Sequence, residues 1–167
     1  MAEVELLVQA AAVEIEDTDP AYPDAQHCLR AYYAELDTRF ESGFDADELF
    51  PASESPLRPP HGLLVVARIS GQPVGCGALW FAGEGVAEIK RMWVAGSTRG
   101  TGLGKRLLGE LEARASARGT RLLRLETNRA LTEAINLYQS AGFTEVPPFS
   151  TERYVHHWFE KDLTRDR

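Results

Sequence analysis

Cysteine is scarce in this chain. Only Cys28 and Cys76 occur among 167 residues, with no C-x-x-C pair and no cluster of cysteine and histidine. That excludes a disulfide scaffold and a zinc site of the usual spacing, so no metal is expected. The two thiols are expected to be free and packed as small apolar groups in a reducing cytosol. Positive charge is also in short supply: 18 Lys and Arg stand against 25 Asp and Glu, for a formal net charge of -7. General nucleic-acid binding needs clustered cations to neutralise phosphates, and that class is excluded. No apolar run approaches the roughly 20 residues that span a bilayer. The acidic start, Met1-Ala2-Glu3-Val4-Glu5, lacks the basic segment of a secretory leader. A cytoplasmic protein without membrane or nucleic-acid partners is expected.

What is present is the composition of a folded domain, 44% hydrophobic and 26% charged. The length suits one domain over 1–167, with 1–10 as a candidate N-terminal extension and 3–9 ambiguous between strand and helical turn. Residues 13–16 alternate as a strand should, and Asp17-Thr18-Asp19-Pro20 breaks it. From Asp24 to Phe40 the apolar spacing is helical, with Leu29, Tyr32, Tyr33, Leu36 and Phe40 on one face and Pro23 at the start. A proline-rich loop fills 41–62, with one short turn expected around Asp45–Leu49. Strands are read at 63–69, 74–81 and 86–94 as an antiparallel meander. After a glycine-rich stretch a helix is expected from Gly102 to Arg118, closed by Gly119. A strand at 121–126, a helix at 131–141 and closing strands at 143–146 and 154–163 complete the order. The strands at 86–94 and 121–126 flank a helix, so they should run parallel through a right-handed crossover. The fold class is therefore α/β (α+β), a mixed, mostly antiparallel sheet of six or seven strands flanked by helices.

The sharpest local signal is Arg99-Gly100-Thr101-Gly102-Leu103-Gly104, which follows a strand and opens a helix. A helix N-terminus carries unpaired N–H groups and the positive end of the dipole, and glycines let a phosphate come close. Lys105 and Arg106 add charge. The P-loop pattern G-x-x-x-x-G-K-[ST] fails, because Arg99 stands at its first position and Arg106 follows Lys105. The dinucleotide pattern G-x-G-x-x-G fails too, ending on Lys105 or Leu107.

This loop resembles the acetyl-CoA loop [QR]-x-x-G-x-[GA] of the GCN5-related N-acetyltransferase (GNAT) family, through Arg99, Gly102 and Gly104. Met92-Trp93-Val94 before it is similar to the end of that family's central strand. Ala134-Ile135-Asn136-Leu137-Tyr138-Gln139-Ser140-Ala141-Gly142-Phe143 matches its A-x-x-L-Y-x-x-x-G-F helix. The resemblance covers 63–163; Glu88–Met92 and Phe159–Leu163 resemble a small bacterial subgroup. One departure is Leu131, where many members have an Asn that helps hold the cofactor, and Asn128 is out of register. Cofactor contacts are therefore expected to lean on the loop.

The resemblance implies acetyl transfer from acetyl-CoA, without metal, to a primary amine. It further implies a splayed parallel pair at the centre of the sheet, with a bulge in the strand before the loop. Cofactor binding falls on Met92, Trp93, Val94, Arg99, Gly100, Thr101, Gly102, Leu103, Gly104 and Lys105, with a backbone N–H near Val94 supporting the thioester carbonyl. Such chemistry needs a base, a stabilised oxyanion and an acid for the thiolate. Glu88, on an otherwise apolar strand, is the candidate base, against the alternative of an ion pair with Lys90 or Arg91. Tyr138 is the candidate acid, against a core tyrosine. Acceptor contacts are expected at Tyr33, Glu35, Arg39, Phe40, Phe44 and Glu126. Glu35, Asp37, Glu41, Asp45, Asp47 and Glu48 read first as a solvated acidic face, with a cationic acceptor as the alternative they would fit. His156 and His157 face opposite ways on a strand and read as structural, with room for one at the acceptor cleft. The acceptor is expected to be a small molecule. A non-catalytic acyl-CoA-binding module and a protein N-acetylase are the alternatives, and a homodimer is left open.

Overall fold

The computed structural model describes residues 12–45 and 57–164. The expectations for 1–10 and for the turn around Asp45–Leu49 lie essentially outside them. Strand β1 (Val13–Asp17) is followed by helix α1 (Pro23–Arg39). Strands β2 (Gly62–Ile69), β3 (Gln72–Gly83) and β4 (Val86–Val94) then form the expected meander. Helix α2 (Leu103–Ala117), strand β5 (Leu122–Thr127) and helix α3 (Thr132–Ser140) complete the crossover region. Short β6 (Thr144–Val146) and β7 (His157–Asp162) close the chain. Together they make one seven-stranded sheet in the order β1-β2-β3-β4-β5-β7-β6. Among the described residues only β4 and β5 pair in parallel; the other pairings are antiparallel.

Both faces of the sheet are covered, which is why 63–67 reads as a continuous apolar run rather than an alternation. Leu63, Val65 and Ala67 pack with Leu103, Leu107, Leu108 and Leu111 of α2. Leu64 and Val66 point the other way, onto Ala25, Cys28 and Leu29 of α1. Burial of each such leucine contributes roughly 1.5–3 kcal/mol. Both cysteines are free and buried, as expected, in the α1 layer. The last strand is shorter than read from the sequence: Tyr154 lies before β7, packed on Phe40 and Leu36 of α1.

Two irregularities open the sheet at its centre. The parallel pairing of β4 with β5 covers only Val86–Leu122, Ala87–Leu123 and Glu88–Arg124, so the strands part beyond it. On its other edge β4 pairs Trp93 with Cys76 and Lys90 with Ala78, leaving Arg91 and Met92 opposite Gly77 alone. That is a β-bulge, and Arg91 takes the unusual φ of 53° that it demands. Gly77 leaves little space there. A Cβ would stand 2.8 Å from Leu111 Cδ1 and 2.9 Å from Met92 Sδ. The Arg91 carbonyl accepts from Cys76 Sγ at 3.2 Å, which fixes the bulged backbone to β3.

Candidate active site

The opening between β4 and β5 leads into a cleft of about 300 Å³ bounded by α1, the end of β4, the glycine loop, the start of α2 and α3. Its wall on one side is the glycine loop. Gly100 and Gly102 hold φ of 84° and 85°, a region closed to most side chains. Gly102 caps α2, whose first internal bond runs from Arg106 N–H to the Gly102 carbonyl at 3.1 Å. The N–H groups of Leu103, Gly104 and Lys105 therefore have no carbonyl one turn earlier, and they stand at the positive end of the helix. A cradle of this kind fits a diphosphate. Gly104 also lets α2 approach α3, since a Cβ there would lie 3.2 Å from Leu137 Cδ2.

Nine of the ten residues expected at the cofactor line this cleft: Met92, Trp93, Val94, Arg99, Gly100, Gly102, Leu103, Gly104 and Lys105. Thr101 does not. Its hydroxyl turns back to the Thr98 carbonyl at 2.5 Å, and the Thr98 hydroxyl bonds the Ala95 carbonyl at 2.8 Å, so the pair braces the loop from behind. Leu131, the departure from the usual asparagine, also lines the cleft. Asn128 serves the turn instead, donating to the Tyr154 carbonyl and accepting from Ala130 N–H, both at 2.8 Å.

Tyr138 sits in the floor of the cleft, 5% exposed. Among the described residues its hydroxyl has no hydrogen-bond partner, and burial raises its pKa well above that of a free tyrosine. Tyr32 lines the same cleft. Its pKa is raised as well, first by burial and then by the neighbouring Tyr138. Both phenols thus stay protonated through neutral and mildly alkaline pH. Glu35 and Arg39 lie at the mouth, in a network where Arg39 meets Glu35 at 3.5 Å and Glu133 at 2.7 Å, and Arg99 also bonds Glu35. The Arg39 contact lowers the Glu133 pKa.

A second, smaller cavity of about 130 Å³ adjoins the cleft, sharing Tyr32, Leu36 and Leu131 with it. Phe40, Phe44 and Glu126, three of the expected acceptor residues, line it together with Tyr154 and Glu152. Glu126 accepts a hydrogen bond from Ser150, whose oxygen accepts from Trp158 Nε1 at 3.0 Å.

Two more of the expected residues lie outside both cavities. Glu88 lines neither cavity. It is 7% exposed, and its carboxylate meets Arg124 Nε at 2.9 Å and Lys90 Nζ at 3.8 Å. It stands on the last rung where β4 and β5 still pair, before they part. Tyr33 is also outside both cavities: it packs in the α1 layer and its hydroxyl accepts from Arg91 Nε at 3.1 Å. Tyr32, one position earlier, takes the place expected for it. A 100° step per residue separates the two, which apolar spacing alone does not resolve. Tyr154 and Glu152 were missed because nothing in their local sequence marks a loop folding back over α1. His156 accepts from Arg129 N–H at 3.1 Å and His157 meets Glu145 at 3.0 Å, so both have structural partners.

Residues 22–143 match the model of the acetyltransferase (GNAT) family. The chain is 39% identical to the IAA acetyltransferase of Azospirillum brasilense over 109 residues, 61% of this chain and 71% of that protein. It is 37% identical to an uncharacterised N-acetyltransferase of Schizosaccharomyces pombe over 100 residues, 57% of this chain and 61% of that one. A Klebsiella pneumoniae structure described as an acyl-CoA N-acyltransferase superposes with a TM-score of 0.74 at 30% identity, covering 92% of this chain and 99% of that one. With its bulged and splayed sheet and its glycine loop, the chain belongs to the acetyltransferase (GNAT) family and is an acetyl-CoA-dependent N-acetyltransferase.

Proposed function

We propose that this enzyme acetylates the primary amine of a small molecule, with acetyl-CoA in the large cleft and the amine entering from the smaller cavity. The observation that carries this reading is the Tyr138 hydroxyl, buried in the cleft beneath the glycine loop and without a partner among the described residues. Buried hydroxyls are nearly always satisfied, and one left open in a cleft wants a ligand atom.

In this reading the diphosphate rests on the N–H groups at the start of α2, with Arg99 and Lys105 beside it. The thioester lies along the open edge of β4 near Val94, where a backbone N–H polarises its carbonyl. The amine loses a proton to Glu126, directly or through a water, and its nitrogen attacks the carbonyl carbon. The C–N bond forms, the C–S bond breaks, the Tyr138 hydroxyl gives its proton to the departing sulfur, and the second proton shed by the nitrogen restores the Tyr138 hydroxyl. A phenol with a raised pKa holds that proton at working pH, which suits it as the acid. The base assigned to Glu88 on sequence passes to Glu126, because Glu126 lines the smaller cavity and Glu88 is closed in an ion pair.

The test is thiol release from acetyl-CoA by the purified protein with a panel of small amines and of peptides. Release that depends on a small amine is expected. Release with peptides alone would turn the reading to a protein acetylase. Binding of acetyl-CoA without release in any arm would leave a non-catalytic module.

A further inference from the structure

We infer that Tyr32 is a further catalytic residue of this reaction: its hydroxyl meets the reacting nitrogen and hands that nitrogen's second proton on to Tyr138. The inference rests on the small-amine reading above. In that reading the amine waits in the smaller cavity and the thioester in the cleft, so the new bond forms where the two spaces meet. Glu126 lines the smaller cavity but not the cleft, and Tyr138 lines the cleft but not the smaller cavity. Among the described residues Tyr32, Leu36 and Leu131 border both. The two leucines carry no polar side-chain atom. Tyr32 is therefore the one described side chain that touches both spaces and can carry a proton.

Local packing leaves that hydroxyl open. Tyr32 and Tyr33 are neighbours on α1, with ring centroids 5.8 Å apart. Tyr33 has a partner, accepting from Arg91 Nε at 3.1 Å. The Tyr32 ring packs on the cluster of Leu36, Phe40 and Tyr154, and among the described residues its hydroxyl has no hydrogen-bond partner. Burial and then the neighbouring Tyr138 raise its pKa, so it enters the reaction as a phenol, able to donate and accept at once. The proton count has a place for such a group. The ammonium gives one proton to Glu126 before attack and sheds a second as the C–N bond forms. That second proton passes to the Tyr32 oxygen. Tyr32 gives its own to the Tyr138 oxygen, directly or through one water, as Tyr138 gives its own to the departing sulfur. Both phenols end as they began, and no charge is left in the cleft.

The experiment is a double-mutant cycle of Tyr32→Phe and Tyr138→Phe, read as kcat and KM with an accepted amine, beside calorimetry with acetyl-CoA. Tyr32→Phe keeps the ring and its packing. It should lower kcat about tenfold, less than loss of the acid itself, because water can stand in for a carrier. KM for the amine and acetyl-CoA affinity should each change less than about twofold, since the transfer matters only in the transition state. In the Tyr138→Phe background the same change should cost less than about threefold more, because the relay is already broken at its end. Wild-type kcat in mixtures of light and heavy water should bow below a straight line, the mark of several protons moving together. Unchanged kcat in Tyr32→Phe, a loss confined to KM, losses that multiply in the double variant, or a straight line for wild type would each overturn the relay while leaving small-amine acetylation standing. Turnover of peptides alone would overturn the small-amine reading, and the same cycle run on a peptide acceptor then decides the relay by the same outcomes. No thiol release with any acceptor would overturn both.

Discussion

Removing one oxygen atom separates catalysis from packing at Tyr138. In Tyr138→Phe the ring keeps its edge contacts with Phe143 at 5.9 Å and Phe159 at 6.5 Å. The hydroxyl it loses is buried and unpartnered among the described residues, and such a group costs about 1–3 kcal/mol in the folded state. The variant is therefore expected to be more stable than wild type, by about 1 kcal/mol, or about 2–4 °C in melting temperature for a chain of this size. Turnover should move the other way, falling roughly 10²-fold, the lower end for loss of a general acid. The loss belongs in kcat rather than KM, because the bond to sulfur strengthens only as thiolate charge develops. The defect should also shrink as pH rises through the thiol range near ~8.5, where sulfur leaves without help. The assay is a pH–rate profile with any accepted amine, beside thermal melts of the ligand-free proteins. Equal kcat at all pH values would show that Tyr138 only packs. Lower stability in the variant would show that the hydroxyl has a partner in the folded protein.

Gly102→Asp places a charged side chain at φ 85° where the diphosphate should rest, with open space for its Cβ. Acetyl-CoA affinity by calorimetry should fall more than about tenfold, and the uncharged Gly102→Asn, which shares the backbone strain, should lose much less; equal loss in both would assign the effect to strain. Glu88→Gln leaves Arg124 and Lys90 facing a neutral amide, so stability in urea should drop by about 1–2 kcal/mol, less than for a fully buried pair, while turnover changes less than about threefold; a large loss of turnover in a stable variant would restore Glu88 as the base. Tyr32 and Tyr138 stay protonated in the folded protein at pH values where the unfolded chain ionises. Above about pH 10 the unfolded state then binds fewer protons, and stability falls as pH rises. Tyr32→Phe should show a shallower fall between about pH 10 and 11.5 in urea melts, and an unchanged slope would refute the raised pKa.

The sequence made the sheet legible because its signals were local. Glycine punctuation, the buried run at Leu63–Ala67 and the alternation at 122–127 each depend on residues that lie side by side in the chain. The glycine loop was legible for the same reason, since a strand, two left-handed glycines and a helix start are contiguous. Acceptor-side geometry was less so. Tyr154 reaches Phe40 across more than 100 positions of sequence, and Glu126 is aimed by Ser150 from the segment before β7 and by Trp158 from β7 itself. No period or motif marks such contacts, which exist only once β7 has paired with β5.

Glu88 shows the limit most clearly, and its place explains the opening of the sheet. A carboxylate on an apolar strand signals that something compensates it, but the sequence does not say whether a substrate or a partner does so. Here the partner is Arg124, directly across on β5, and the pair coincides with the last parallel rung. Past that rung the Arg91 bulge turns β4 toward β3, through the Cys76 contact to the Arg91 carbonyl, and no further β5 residue pairs with β4. The ion pair thus closes the strands on one side of the point where the bulge parts them on the other. A clasp there keeps the opening from running back along the sheet, and it holds Glu126, two residues beyond Arg124 on the same face of β5, at the edge of the cavity. With Glu126 as the proposed base, the charge at position 88 serves the site through strand geometry.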